Sequence, residues 1–232
     1  MKKRNFLITV LVCIAMMMLV ALPTFAGSKS TVSADVSYKQ VTNTDTIRDT
    51  ILLAEKLGIT QINTFSGCPG DSEGSQYPNW VTCPWPDDYS KILEWQWNEV
   101  LIPYWKKTVA FAKEHGVTKI GLELHPGFCV YNSYTLLKLR NAVGEEIGAN
   151  LDPSHLIWQG MDPVAVIREL GPAIFHFHAK DTKIDRMNTS VNGVLDTQHY
   201  SDEIHRSWIF RSVGYGMDEK KWKEMSGSAG GT

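Results

Sequence analysis

Apolar positions along the chain alternate between helical spacing and short continuous runs. Ile47, Ile51, Leu52, Ala54 and Leu57 recur on one helix face, with Asp45 as N-cap and Gly58 as the stop. Ile59 to Phe65 then reads as a buried strand. Ser66-Gly67-Cys68-Pro69-Gly70 leads out of it into a loop, rich in turn-forming residues, that runs to about Pro86. Tyr89 to His115 predicts a long helix rich in Trp and Tyr, bent at Pro103 and closed by Gly116. Further strands are expected at Thr118 to Leu124, Ile147 to Leu151 and Ala173 to His178. Helices at Asn132 to Val143 and from Asp162-Pro163 to Leu170 separate them, the second started by an Asp cap with Pro in the first turn. A long polar stretch runs from about Thr182 to Arg206. Trp208 to Val213 is apolar but brief, and a last helix begins over Asp218 to Met225. Four strands alternating with helices predict a parallel α/β architecture. No GxGxxG or P-loop follows any of them, which argues against a nucleotide-binding sheet.

The N-terminus stands apart. Met1-Lys2-Lys3-Arg4 is basic, Phe6 to Leu22 is almost wholly apolar, and Thr24-Phe25-Ala26-Gly27 offers a small-residue cleavage site. Residues 1–26 therefore read as a secretory signal peptide, the alternative being an uncleaved membrane anchor. Residues 27–44 read as a polar linker and 226–232 as a flexible tail, leaving 45–225 as the folded body. The signal segment holds three basic and no acidic residues. The remainder thus carries 20 basic against 25 acidic residues, a net charge of −5. With no basic block in the body, nucleic acid is not an expected partner. Cleavage would leave no stable membrane anchor. The expected location is secreted or periplasmic if the signal is genuine, and cytoplasmic for the body's lineage. Cys13 lies in the signal segment. Cys68 and Cys83 are candidates for a loop disulfide, but three unpaired thiols are the favoured reading of Cys68, Cys83 and Cys129.

Three of the strands end in clustered acids and imidazoles: Glu123-Leu124-His125-Pro126, Asp152-Pro153-Ser154-His155 and His176-Phe177-His178-Ala179-Lys180-Asp181. Glu123 and Asp152 are 29 positions apart, and Asp152 and His178 are 26 apart, about one strand–helix unit each. Strand side chains alternate between faces, so Glu123 shares a face with His125, Asn150 with Asp152, and His176 with His178, while Phe175 and Phe177 oppose the histidines. In a parallel barrel, polar residues on the inner face at the C-terminal strand ends are placed for catalysis. A Glu, an Asp and a His converging there form a mixed oxygen and nitrogen set suited to Mn²⁺, Mg²⁺, Co²⁺ or Zn²⁺.

These motifs, with Thr64-Phe65-Ser66-Gly67 and the segment Arg211 to Gly216 followed by Asp218, resemble the sugar phosphate isomerase/epimerase family, the xylose isomerase-like TIM barrels. The likeness runs from about Asp45 to Trp222. It implies a (β/α)8 barrel, of which about four parallel strands with helices are present, a partial barrel. It also implies one divalent ion held by Glu123, Asp152 and His178. The family's second ligand Glu has no convincing counterpart, because Glu219 and Glu224 lie on the last helix. By the same resemblance His155 and His176 contact substrate or support the ligands, and Lys180 or His125 binds substrate oxygens. Glu123 and His155 are the catalytic candidates.

The implied substrate is a small sugar or sugar phosphate, isomerised or epimerised by proton transfer through an enediolate. Alternatives are a non-catalytic exported sugar- or metal-binding fragment and, more remotely, an endonuclease IV-like phosphodiesterase. Open barrel edges would suit a second copy of the chain, giving a homo-oligomer.

Overall fold

The structure, a computed structural model, describes residues 32–33, 44–217 and 219–229. The expected signal peptide, most of the linker, Asp218 and residues 230–232 lie outside the described residues.

A parallel sheet organises the fold. Its strands are β1 (Val32–Ser33), β2 (Gln61–Thr64), β3 (Lys119–Glu123), β4 (Ile147–Leu151) and β5 (Ile174–Phe177), side by side in that order. The last four are the strands expected from the apolar runs. The two-residue β1, inside the stretch read as linker, pairs Val32 with Ile62 and Ser33 with Asn63. Helices α1 (Thr44–Leu57), α2 (Asp87–Trp95), α3 (Ile102–Glu114), α4 (Ser133–Val143), α5 (Pro153–Trp158) and α6 (Pro163–Leu170) connect them.

Alternation explains the layering. Ile62, Ile120, Leu122, Ile147, Ala149 and Leu151 are wholly buried in one core with Trp105, Leu136, Leu139, Val166 and Ile167 from the helices. The intervening positions form the other face. There Glu123 pairs with Asn150, and Asn150 with His176, in a polar row across three strands. Asn132 caps α4, accepting from the Thr135 amide at 2.9 Å, and Asp162 caps α6, accepting from the Val164 amide at 2.9 Å.

Three departures from the expected pattern have physical causes. The long helix is not simply bent at Pro103. A π-helical turn, Gln96–Leu101, separates α2 from α3 and ends two positions before Pro103, which has no amide hydrogen to donate. That turn carries buried Gln96, whose Nε2 reaches the carbonyls of Pro69, Gly70 and Asn79 at 2.7–3.0 Å and ties down the loop after β2. Second, the polar stretch after His178 is folded. Strands β6 (Asp181–Ile184) and β7 (Trp208–Arg211) form an antiparallel pair enclosing α7 (Arg186–Asn192).

Third, β5 contains a bulge. Ala149 pairs with Ile174 but Asn150 pairs with His176, so Phe175 is the extra residue. The expectation that Phe175 opposes the histidines is therefore corrected. The bulge lays its ring over Gly148, where a β-carbon would come within 2.3 Å of the Phe175 ring and 2.6 Å of the Ala173 carbonyl oxygen. Gly148→Ala should accordingly destabilise the fold by about 1–3 kcal/mol through overpacking. Urea unfolding would check this, and a loss within error would contradict the packing described.

The final helix α8 (Glu219–Ala229) extends past the point read as the start of the tail. It packs on α6, burying Trp222 and Met225, with Lys221 paired to Asp162 at 2.8 Å.

Candidate metal centre

The site is assembled where β3, β4 and β5 end. Asp152 occupies a constrained position. It is the N-cap of α5, and its Oδ1 accepts from the Ser154 amide at 2.9 Å. Pro153 fits the first helical position because no amide donor is needed there. The cap fixes the carboxylate and leaves Oδ2 facing the site. His155, three residues on, lies on the same side of the helix, its Nε2 3.5 Å from Asp152 Oδ2.

Glu123 joins the strands. Its Oε1 lies 3.2 Å from His155 Nε2 and its Oε2 lies 3.3 Å from His178 Nδ1. Asn150 donates to Glu123 Oε2 at 3.4 Å and stands 3.4 Å from His178 Nε2. Burial opposes ionisation of Glu123, but hydrogen bonds and charge interactions with His155 and His178 outweigh it and hold its pKa below the ordinary range. The hydrogen bond to Glu123 raises the pKa of His178.

Lys180 turns inward. Its ammonium is 2.8 Å from Asp152 Oδ2, 3.3 Å from His155 Nε2 and 4.3 Å from the centre of the Phe210 ring on β7. The His125 ring lies tilted against His155 with ring centres 4.0 Å apart, and Phe65 and Phe128 pack edge-on against it. Burial first, then His155, pushes the His125 pKa down to about 4. Its Nδ1 lies 2.6 Å from the Pro126 carbonyl oxygen. That acceptor requires the proton on Nδ1, which leaves Nε2 of the neutral ring able to accept. His176 meets His178 edge to face at 5.3 Å, and its pKa is lowered by burial and by His178.

The predicted residues thus converge. Glu123, Asp152 and His178 each offer a ligand atom within 4.8 Å of the others, and so do Glu123, His125 and His155. These residues could hold a metal ion. Asp152 Oδ2 supplies the test of fit. It is buried and already faces one cation, the Lys180 ammonium at 2.8 Å, the condition of an oxygen suited to a cation.

Sequence reasoning did not single out Asn150 as a bridge, Phe210 as the wall beside Lys180, or Asp181 as an anchor. Alternation with Asp152 was the available signal for Asn150. Asp181 is fully buried and serves the scaffold. Its Oδ1 accepts from the amides of Thr182 and Met217, and its Oδ2 from the amides of Gly214 and Gly216 and from Trp222 Nε1, all at 2.7–3.0 Å. It thereby fastens the Gly-rich segment and α8 beneath the site.

The family described as Xylose isomerase-like TIM barrel matches residues 22–224. The chain belongs to that family. A relative from Bacillus subtilis (strain 168), described as uncharacterized protein YfiH, is 47% identical over 178 residues, covering 76% of this chain. The chain spans 57% of the length of that relative. Among solved structures, the probable 3-DHS dehydratase AsbF of Bacillus anthracis superposes with a TM-score of 0.52 at 18% identity, covering 84% of this chain and 64% of that one. A xylose isomerase domain protein of Planctomyces limnophilus gives a TM-score of 0.52 at 15% identity, covering 86% and 64%. At these identities the likeness is one of fold. Within this family's architecture the described strands form part of a barrel, with the candidate metal residues at the C-terminal strand ends, the face where such barrels carry their sites.

Proposed function

We propose that the chain carries a divalent-metal site for proton transfer on a small sugar or sugar phosphate, the chemistry of an isomerase or epimerase. The observation that supports this most is the convergence of Glu123, Asp152 and His178, with the buried Asp152 carboxylate among the facing ligand groups. In this reading these three hold the ion. A bound divalent cation would supply Lewis acidity, lowering the cost of negative charge developing on a sugar oxygen.

The remaining steps fall to this chain's side chains. Glu123, with its pKa held low, serves better as a charged ligand than as a proton acceptor. His155, in contact with both carboxylates and with Lys180, is the group we assign to holding and passing the proton. Neutral His125 is placed to accept from a sugar hydroxyl, and Lys180 to bind a sugar oxygen or phosphate. Phe210 and Phe65 exclude water along two sides.

The test is hydrogen exchange in D₂O, followed by proton NMR, with Mn²⁺, Mg²⁺, Co²⁺ or Zn²⁺ and a panel of ketoses and ketose phosphates. Metal-dependent loss of a sugar C–H signal is expected, and His155→Asn should reduce its rate by about 100-fold or more. Metal and sugar binding without exchange would instead favour a non-catalytic binding protein.

A further inference from the structure

The loops leaving β2 and β3 carry a second constellation behind the metal centre. Cys68 and Cys129 are both buried. The Cys129 amide donates to the Gly67 carbonyl at 3.0 Å, and the Val130 amide donates to Ser66 Oγ at 2.9 Å, so the two loops run together at this point. Both thiols line one cavity of about 100 Å³, walled by Trp80, Trp97 and Tyr131, with Lys138 at its side. The Cys68 thiol donates to the Pro69 carbonyl at 3.7 Å and has the Cys129 thiol as its neighbour. Cys83 takes no part in this. It is exposed, and its thiol donates to the Trp85 carbonyl at 3.3 Å. All three of these cysteines are free, as the favoured reading of the sequence has it, and the alternative pairing of Cys68 with Cys83 is not formed.

We propose that Cys68 and Cys129 form a dithiol site that reacts with small-molecule disulfides entering this cavity. One cysteine, as thiolate, attacks a sulfur of the incoming disulfide, and one small thiol leaves. The second cysteine then attacks the cysteine sulfur of the mixed disulfide, and the other small thiol leaves. Two protein thiols are oxidised to one disulfide, one small disulfide is reduced to two thiols, and the two protons lost from the cysteines pass to those products. Cys68 is the better first nucleophile. The neighbouring Cys129 thiol lowers its pKa against the opposing effect of burial, whereas the same contact raises that of Cys129. The new bond would tie the β2 loop to the β3 loop. Phe65 and Phe128, stacked with ring centres 4.6 Å apart, stand on those same loops and both touch His125. The site depends on neither the bound metal nor the sugar chemistry above.

The experiment uses the full chain with Cys13→Ser and Cys83→Ser, which leaves Cys68 and Cys129 as its two thiols. It is incubated with hydroxyethyl disulfide, quenched in acid and mapped by peptide mass spectrometry. The expected product has lost two hydrogens, yields a peptide joining Cys68 to Cys129, and returns to the starting mass with dithiothreitol. It should also resist urea beyond the reduced form. A stable mixed disulfide on either cysteine, or two thiols still free under conditions that fully modify Cys83 in the parent chain, would overturn the proposal. A further Cys129→Ser change should halt the reaction at a mixed disulfide on Cys68. If that variant does not fold, differential alkylation of the parent chain before and after oxidation reads the same pairing.

Discussion

Titration of the chain with Mn²⁺ or Zn²⁺ should lose most of its calorimetric signal in Glu123→Gln and in His178→Ala. Glu123→Gln keeps the side chain's shape and removes a formal charge at the junction of His155, His178 and Asn150. His178→Ala removes the nitrogen ligand outright. Losing an outer partner of a metal ligand typically costs ~10–100-fold in affinity. Loss of a ligand should exceed that, at about 100-fold or more, while Asn150→Ala should fall within the smaller range. Near-UV circular dichroism on the same samples separates lost ligation from lost fold. Unchanged affinity in both ligand variants would mean that the ion, if bound, sits elsewhere.

Asp181→Ala should be the most destabilising single change near the site, at about 3–5 kcal/mol. The carboxylate is fully buried and accepts five hydrogen bonds, four from amides and one from Trp222. Truncation leaves those donors without an acceptor, and each buried unsatisfied donor is costly. Asp181→Asn should be nearly as harmful. Oδ2 receives three donors, from Gly214, Gly216 and Trp222, and an amide nitrogen in its place would present hydrogens to them. If the amide turned over, the same conflict would arise at Thr182 and Met217. Denaturant unfolding gives the magnitude. Hydrogen exchange should show α8 and residues 212–217 loosening first. A cost below about 1 kcal/mol would mean that this anchor is dispensable.

The strands β2 to β5 were legible because each is a short apolar run bounded by turn residues, and buried parallel strands advertise themselves in that way. Glu123, Asp152 and His178 were legible because charged and imidazole side chains interrupt those runs at a regular interval. The β6–β7 pair was not. Only Trp208 of its eight residues is a large buried apolar side chain, and the pair is held by Asp181 and by Thr182, whose hydroxyl donates to the Ser154 carbonyl at 2.8 Å. Such tertiary ties leave no periodic trace. The bulge at Phe175 was hidden for a related reason. Alternation counted back from His178 correctly pairs it with His176, and nothing in the apolar pattern marks the residue before them as supernumerary. The meeting of Cys68 with Cys129 depends on two loops brought together by adjacent strands, across 61 positions of sequence.

Lys180 gives the carboxylate cluster a tethered counter-ion. With its ammonium 2.8 Å from Asp152 Oδ2, the charge of that buried oxygen is balanced from within the chain, and the scaffold can assemble without borrowing a cation from solution. Any divalent ion taken up there must enter by ion exchange, displacing the ammonium from the oxygen it needs. The displaced group cannot diffuse away. Beside it stands the face of Phe210, which can hold a cation in partial desolvation. Occupancy of the metal position would therefore reset where a positive charge is offered to an incoming anionic ligand.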